Sequence, residues 1–288
     1  MVAGGQQRKG AALAGAFGAD TERIVSIDGQ PLRVSVRPGD GSRPPLLLMN
    51  GLGASYETLQ SFVDALRATT GVVRFDVPGV GGSPAPLFPY RFWWMAHKVQ
   101  GLLDELGLPQ VDVLGVSWGG LLAQQFALQY PSRCRRLVLV STAPGIAFPG
   151  KLSSLIELMN NRRHADHGYA LEIAPRVYGG AMRANQAGVW PLAGGLAPDM
   201  RGYLYQQLAV LGWSSIPWLP FVSQPTLIMT GDDDPLIPLV NAWLMQQLIP
   251  NSRLRVFNDG HLGLMSSAAT IAPFVEEFLE PEKAPEWF

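Results

Sequence analysis

One stretch decides the fold of this chain: Gly115-Val116-Ser117-Trp118-Gly119-Gly120. The apolar residues 111–114 before it predict a buried strand, and the apolar spacing over residues 121–130 after it predicts a helix. Ser117 would therefore lie on a tight turn between a strand and a helix. Such a turn strains the serine backbone, and glycines are expected on both sides because a side chain there would collide with the neighbouring strand or helix. The sequence thus predicts a serine hydroxyl that another molecule can reach.

The spacing glycine, any residue, serine, any residue, glycine resembles the nucleophile elbow of α/β-hydrolases. An ordinary glycine-rich turn is the alternative interpretation, because a chain with 32 glycines can show the spacing by chance. The predicted strand before Ser117 and the predicted helix after it favour the elbow. A serine at this position also excludes relatives that use an aspartate there, such as dehalogenases and epoxide hydrolases.

Strands alternate with helices along most of the chain. Strands are predicted at residues 23–27, 32–36, 45–49, 72–76, 111–114, 137–140, 226–229 and 253–257. Helices are predicted at residues 56–69, 92–106, 121–130, 240–248 and 268–279. This alternation is typical of an α/β protein with a mostly parallel central sheet flanked by helices. The fold class that we predict is therefore the α/β-hydrolase fold.

The alternation stops between the sixth and seventh predicted strands. Residues 144–221 are helical or irregular, with many glycines and prolines, and we interpret them as a helical cap, or lid, over the site. Residues 21–143 and 222–288 would form the core domain. Residues 1–20 are rich in glycine and alanine and predict a disordered arm; a signal peptide is the alternative, but glycines break its apolar patch.

A serine hydroxyl needs a base to take its proton, and the base needs an acid to fix its tautomer. In α/β-hydrolases these residues follow the serine in the order acid, then histidine. His261 follows the last predicted strand, and Asp234 follows the strand before it, which predicts a catalytic triad of Ser117, Asp234 and His261. Asp232 and Asp233 are the alternative acids, but Pro235 favours Asp234 because it pushes that residue into extended geometry.

The other three histidines have less fitting positions. His97 lies inside a predicted helix, where a packed or surface position is expected. His164 and His167 lie in a charged stretch of the predicted cap. Their spacing suggests a metal pair, but no further ligands accompany them, so we favour a solvated face and predict no metal site.

The oxyanion hole is predicted at two backbone amides, those of Leu52 and Trp118. Leu52 lies in Asn50-Gly51-Leu52-Gly53 directly after a buried strand, and the glycines would let the backbone approach a substrate oxygen. A simple turn is the alternative interpretation of this stretch. No glycine fingerprint for a dinucleotide is present in the sequence, and we predict no cofactor.

Composition narrows the partners and the compartment. A net charge of −1 without a basic run argues against nucleic acid as the main partner. The single cysteine, Cys134, excludes an internal disulfide, fits a reducing compartment and is expected to be a packed thiol. No apolar run reaches the length of a membrane span.

Several stretches together resemble the intracellular medium-chain-length polyhydroxyalkanoate depolymerases of bacteria. The likeness spans residues 28–279. It includes Phe75-Asp76-Val77-Pro78-Gly79-Val80-Gly81-Gly82-Ser83, Pro89-Tyr90-Arg91-Phe92, residues 115–120 and 123–127, residues 231–238, Ile173-Ala174-Pro175-Arg176-Val177-Tyr178-Gly179-Gly180 and Leu211-Gly212-Trp213. The sequence departs from the family in the N-terminal arm and over residues 181–200. The resemblance implies hydrolysis of 3-hydroxyacyl esters in a storage polyester by Ser117, Asp234 and His261. It also implies a cytoplasmic protein, with the polymer granule surface as a candidate partner.

Trp213 and Trp218 in the predicted cap are candidate substrate contacts, because an aromatic roof favours an apolar acyl chain. Packing within the core is the alternative role for both rings. Other enzymes remain alternatives: a small-molecule esterase, a lactonase, a carbon-carbon bond hydrolase of aromatic catabolism or a cofactor-free perhydrolase. A binding module that keeps the fold and has lost turnover is the alternative outside enzymes.

Overall fold

The computed structural model describes residues 20–146, 148–160, 162–184 and 195–280. Nearly all of the predicted N-terminal arm, and part of the stretch 181–200, lie outside these ranges. No helix within them is both long and apolar enough to cross a membrane.

The centre of the molecule is a single sheet. Its strands are β1 Thr21–Ile27, β2 Gln30–Arg37, β3 Leu46–Met49, β4 Val72–Phe75, β5 Val111–Val116, β6 Cys134–Val140, β7 Thr226–Gly231 and β8 Ser252–Phe257. Within the described ranges they lie in the order β1-β2-β4-β3-β5-β6-β7-β8. β2 pairs antiparallel with β1 and β4, and every pair from β4 onward is parallel. The predicted mostly parallel sheet is confirmed.

Alternating side chains of the strands enter two separate apolar cores, one on each face of the sheet. In β3, for example, Leu47 and Met49 pack into one core while Leu46 and Leu48 pack into the other. All six residues of β5 are buried, because helices cover the sheet on both sides. Cys134 is buried at the start of β6, which confirms the predicted packed thiol.

Helices fill both faces and the connection between β6 and β7. They are α1 Gln60–Ala65, α2 Phe92–Glu105, α3 Trp118–Gln129, α4 Leu152–Met159, α5 Arg162–Ala165, α6 His167–Tyr178, α7 Gly180–Arg183, α8 Met200–Val210, α9 Leu239–Leu248, α10 Gly263–Ser266 and α11 Ala268–Leu279. The chain positions of α2, α3, α9 and α11 agree with the predicted helices.

The helix predicted at residues 56–69 is shorter in the structure. A 3₁₀ turn at Tyr56–Leu59 leads into α1, which ends at Ala65. The Arg37 guanidinium donates hydrogen bonds to the carbonyl oxygens of Val63, Arg67 and Thr70. These carbonyls are therefore satisfied by a side chain from the sheet, and the chain turns into β4 without a further helical turn.

Helices α4 to α8 lie in the connection between β6 and β7, and we call this segment the helical insertion. At one place the backbone of the insertion packs directly on the backbone of the loop after β4. A side-chain carbon on Gly79, whose φ is +85°, would lie 2.2 Å from the Gly202 Cα in α8. The Asp199 amide also donates to the Gly79 carbonyl over 3.0 Å. The insertion therefore lies directly against the loop after β4.

Candidate active site

Ser117 lies between β5 and α3 with φ 53° and ψ −119°. Positive φ is strained for a residue that has a side chain. A side-chain carbon on Gly115 would lie 2.4 Å from the Gly119 carbonyl oxygen, and one on Gly119 would lie 2.0 Å from the Met49 oxygen. Both positions require glycine, which confirms the steric role predicted for these two residues.

The structure brings Ser117, His261 and Asp234 together at the C-terminal edge of the parallel sheet. His261 Nε2 lies 3.0 Å from Ser117 Oγ, and His261 Nδ1 lies 2.8 Å from Asp234 Oδ2. The side chains of Asp234 and His261 are almost completely buried. An Nδ1 proton directed at the carboxylate leaves Nε2 free to accept the serine proton. The geometry therefore suits a proton relay from the hydroxyl to the imidazole.

Of the three consecutive aspartates, Asp234 is the one that contacts the histidine. Its second oxygen accepts hydrogen bonds from the amides of Leu236 and Ile237, both at 2.9 Å, so the carboxylate has a fixed orientation. Asp233 accepts a hydrogen bond from the Gly180 amide, and Asp232 is exposed.

The loop after β3 lies beside the serine. A side-chain carbon on Gly51 would be 3.6 Å from Ser117 Cβ. Trp118 is the first residue of α3, where backbone amides have no partner inside the helix. Among the described residues, neither the Leu52 amide nor the Trp118 amide donates to a protein acceptor. Both amides thus lack a protein acceptor within these ranges, and their role as an oxyanion hole stays a prediction.

Asp259 holds the loop that carries His261, a role that the sequence analysis did not identify. One carboxylate oxygen accepts hydrogen bonds from the amides of Ala181 and Gly260, and the other accepts from the hydroxyls of Ser266 and Ser267. Burial alone would raise the pKa of Asp259, but these donors outweigh it and lower the pKa below its usual value. The sequence signal for this role was the position of Asp259, two residues before the predicted base His261.

A short segment of the helical insertion lies between the loops of Asp234 and His261. The His261 amide donates to the Tyr178 carbonyl over 2.8 Å, and the rings of the two residues stack with centroids 6.3 Å apart. A side-chain carbon on Gly179 would lie 1.9 Å from the Asp233 oxygen, and one on Gly180 would lie 1.9 Å from the Gly260 nitrogen. The insertion thus contacts the acid loop and the base loop directly.

A cavity of about 410 Å³ opens beside the loop after β3. The residues that line this cavity include Leu52, Gly53, Ser55, Arg163, His164 and Tyr178, but not Ser117. The prediction that His164 lies on a solvated face was wrong. Its ring packs edge-on against Tyr203, with centroids 4.8 Å apart. Burial, and then the neighbouring Arg163 guanidinium, lower the pKa of His164 from 6.5 to about 3.

The two tryptophans predicted as substrate contacts pack on other aromatic rings. Trp213 is partly buried, packs on Phe92 against one of the apolar cores and donates its indole hydrogen to Gln125. Trp218 is 58% exposed and packs on Phe221. No hydrogen bond or ring contact of the described residues joins either tryptophan to the triad.

The remaining two histidines, His97 and His167, are both exposed. His97 pairs with Asp28 near the surface, as expected for a histidine of that helix. His167 is exposed and borders the cavity. Among the described residues, no three histidine, cysteine or acidic side chains lie close enough together to hold a metal ion.

Comparison with known proteins places the chain in a family. The sequence profile of the alpha/beta hydrolase fold matches residues 44–268. The chain is 45% identical to a poly(3-hydroxyalkanoate) depolymerase of Ectopseudomonas oleovorans over 91% of its own length and 93% of the relative's. It is 32% identical to a 2-hydroxymuconate semialdehyde hydrolase of Pseudomonas putida, over 82% and 86% of the two chains.

Solved structures agree on the fold. The enol-lactonase from Burkholderia xenovorans LB400 superposes with a TM-score of 0.77 at 24% identity, covering 89% of this chain and 99% of that structure. At this identity the likeness concerns the fold alone. The profile match and the 45% identical relative together give the assignment: the chain belongs to the α/β-hydrolase family, as a relative of a poly(3-hydroxyalkanoate) depolymerase.

Proposed function

We propose that this protein is a serine hydrolase that cleaves the ester bonds of a poly(3-hydroxyalkanoate) through an acyl-enzyme. The hydrogen-bonded series Ser117, His261 and Asp234 supports the chemistry, with distances of 3.0 and 2.8 Å. The 45% identical depolymerase supports the substrate class. Ser117 is the nucleophile, His261 the general base and Asp234 the acid that orients it.

The proposed reaction has two halves. His261 Nε2 takes the hydroxyl proton as Ser117 Oγ attacks the ester carbonyl, and the amides of Leu52 and Trp118 donate to the oxygen that becomes negative. The tetrahedral intermediate then collapses: the ester C–O bond breaks and His261 protonates the departing alkoxide. A water molecule, deprotonated by His261, attacks the acyl-enzyme, and collapse of the second intermediate releases the acid and restores the serine hydroxyl.

We also propose that residues 144–221 act as a cap over this chemistry. The insertion contacts the loops of Asp234 and His261, and the cavity of about 410 Å³ is bordered by both the insertion and the loop of Leu52. This cavity has the size of ordinary small-molecule sites and is the proposed binding place for part of the hydroxyacyl chain. Trp213 is a packing residue in this proposal.

Release of hydroxyacid from poly(3-hydroxyoctanoate) by the purified protein is the direct test. We expect release by the wild type, none by Ser117→Ala, and stoichiometric labelling of Ser117 by a fluorophosphonate. Labelling without release from polymer would contradict the substrate class. Folded protein that does not label would contradict the hydrolase chemistry and favour a binding module.

A small-molecule hydrolase is the second candidate, and the 32% identity to a 2-hydroxymuconate semialdehyde hydrolase favours it. A series of p-nitrophenyl esters of increasing chain length separates the two functions. A polyester depolymerase should hydrolyse medium-length hydroxyacyl and acyl esters best, whereas a preference for acetyl esters would favour the small-molecule enzyme.

For the setting of the reaction we propose the cytoplasm and the surface of polymer granules. One buried cysteine fits a reducing compartment, and the depolymerase relative supports a polymer substrate. Sedimentation of the protein with isolated granules, compared with bare polystyrene particles, tests this setting. Equal binding to both particles would contradict specific granule association.

A further inference from the structure

The peptide unit between Leu52 and Gly53 is bonded at both of its polar ends by the helical insertion. Arg163 Nη2 donates to the Leu52 carbonyl over 3.3 Å. The Gly53 amide donates to Gln206 Oε1 over 2.8 Å. This peptide directly follows the Leu52 amide, which is one of the two proposed oxyanion donors. Two insertion residues therefore fix the backbone beside that donor.

The loop needs an external restraint because its own sequence supplies little. Glycines flank Leu52 on both sides, and Gly53 has φ +70°, a region that glycine enters at low cost. Rings of the insertion also press on the loop: a side-chain carbon on Gly53 would lie 2.7 Å from the Tyr203 ring and 3.0 Å from the His164 ring. Glycine permits this close packing, and the packing limits the freedom of the loop.

Four acceptors fix the orientation of the Arg163 guanidinium. Besides the Leu52 carbonyl, its guanidinium donates to the Leu158 carbonyl and to the hydroxyls of Tyr178 and Tyr203, each over 3.0 Å. No carboxylate among the described residues neutralises it. The guanidinium therefore brings a positive charge, as well as a hydrogen bond, to the loop of the proposed oxyanion hole.

Gln206 connects the same helix to the second proposed donor. The side chain is fully buried, and its backbone carbonyl accepts a hydrogen bond from the indole of Trp118 over 2.9 Å. Trp118 is the residue whose amide would be the other oxyanion donor. One residue of α8 thus contacts both halves of the proposed oxyanion hole, the loop of Leu52 through its side chain and Trp118 through its backbone.

We propose that Arg163 and Gln206 are positioning residues that set the oxyanion hole from the insertion, so that the site reaches full activity only with the insertion in place. The proposal rests on the proposed function of Ser117. Its physical basis is that an oxyanion donor acts only within a few tenths of an ångström of the position that the negative oxygen takes. A loop released from the Leu52–Gly53 contacts would lose that placement.

Gln206→Met removes the acceptor of the Gly53 amide at nearly constant side-chain length, and leaves the backbone bond to the Trp118 indole in place. Arg163→Met removes the guanidinium donors and the charge but keeps an unbranched apolar stem. Gln207→Met and Arg162→Met are matched controls, because these adjacent residues of the same type make side-chain hydrogen bonds to Met159 and Asp166, within the insertion. We expect kcat to fall by about 10- to 100-fold in the first pair, part of the ~10²- to 10³-fold loss of a whole donor, with KM changed less than about threefold. The controls should retain wild-type kcat.

A pair of inhibitors separates positioning from a structural role. An octyl trifluoromethyl ketone forms a hemiketal whose oxygen occupies the oxyanion hole, whereas the corresponding methyl ketone reports ground-state binding. For Gln206→Met, the inhibition constant of the fluorinated ketone should rise in proportion to the loss of kcat, while that of the methyl ketone stays constant. Equal increases for both ketones, or a kcat within about threefold of wild type, would overturn the proposal.

Two further measurements keep the outcomes distinct. Arg163→Lys retains the charge and folds more safely; an intermediate kcat is expected, because an ammonium cannot reach all four acceptors. Wild-type kcat in Arg163→Lys and Arg163→Met together would remove Arg163 from the proposal. Failure of the proposed hydrolase function would appear elsewhere, as wild-type protein that does not react with a fluorophosphonate.

Discussion

The parallel sheet and the helical insertion contribute different things to the site. Loops at the edge of the sheet carry Ser117, Asp234 and His261, and the insertion carries none of these side chains. Insertion residues nevertheless bond to the loops of all three: the Tyr178 carbonyl to the His261 amide, the Gly180 amide to Asp233, and the Gln206 carbonyl to the Trp118 indole. In the proposed mechanism the loops of the sheet carry the reactive groups, and the insertion helps to place them.

The largest expected effect comes from a group that the sheet supplies. Ser117→Ala should lower ester hydrolysis by at least ~10⁴-fold, because loss of the nucleophile removes the acyl-enzyme route. The melting temperature should change little, since the substitution removes only a hydroxyl and keeps the Cβ and the backbone geometry of the turn. Turnover of a p-nitrophenyl ester and calorimetry measure both quantities. Residual activity above about one per cent would mean that another residue is the nucleophile.

The next largest loss of activity is expected from substitution of the proposed acid. Asp234→Asn should lower kcat by ~10³- to 10⁴-fold, because the amide favours the wrong histidine tautomer. Asp232→Asn is the matched control and should stay within about threefold of wild type, since Asp232 is exposed. Steady-state kinetics of the two variants show which aspartate is the acid. The reverse order would show that the acid comes from a different position in this loop.

Asp259→Ala tests the connection between the two regions. The change removes the carboxylate acceptor from two amides and two hydroxyls, of which the Ser266 hydroxyl keeps the Leu262 carbonyl as an acceptor. We expect a loss of about 2–3 kcal/mol in the free energy of unfolding. The pKa of Asp259 is lowered in the folded state, so its contribution is present above the unfolded pKa of about 4 and fades as the pH falls below that value. Denaturant unfolding at pH 7 and pH 3 measures the difference.

The control for Asp259→Ala is Asn258→Ala, an exposed neighbour that should change stability little. A variant Asp259→Ala as stable as wild type would mean that the loops hold without this carboxylate. A destabilised variant with wild-type kcat would mean that the contact supports folding and not the placement of His261.

The smallest expected effect concerns the pH dependence of stability. Because the pKa of His164 is about 3 in the folded protein and about 6.5 when unfolded, the native state binds fewer protons between these values. The free energy of unfolding should therefore rise with pH across this window. In His164→Asn the slope should be smaller by up to about one proton, as measured by urea unfolding between pH 4.5 and 7. An unchanged slope would mean that His164 titrates normally.

The same two regions mark how far sequence reasoning reaches. The strands and the three residues Ser117, Asp234 and His261 follow from local patterns: apolar runs, a glycine-flanked serine, and polar residues directly after predicted strands. The structure brings these residues within hydrogen-bond distance because parallel strands end at one edge. The predicted end of the helix at residues 56–69 was wrong, because the carbonyls beyond α1 are satisfied by Arg37, which is distant in sequence.

In the insertion the decisive contacts join residues far apart in the chain. Arg163 meets Leu52, and Gln206 meets Gly53, through side chains whose type and spacing give no local signal. His164 was expected on a solvated face because its neighbours are charged, yet its ring packs on Tyr203, about 40 residues later. Such pairings depend on tertiary packing, which a period or a motif does not record.

The seam between Gly79 and Gly202 limits what the chain tolerates under mutation. Neither residue has a functional group, but each lies where the other's backbone leaves no room for a single carbon. In a saturation scan selected for activity, these two positions should reject nearly every replacement, as strictly as the nucleophile does. Intolerance in such a scan would therefore report on crowding at this seam as well as on chemistry.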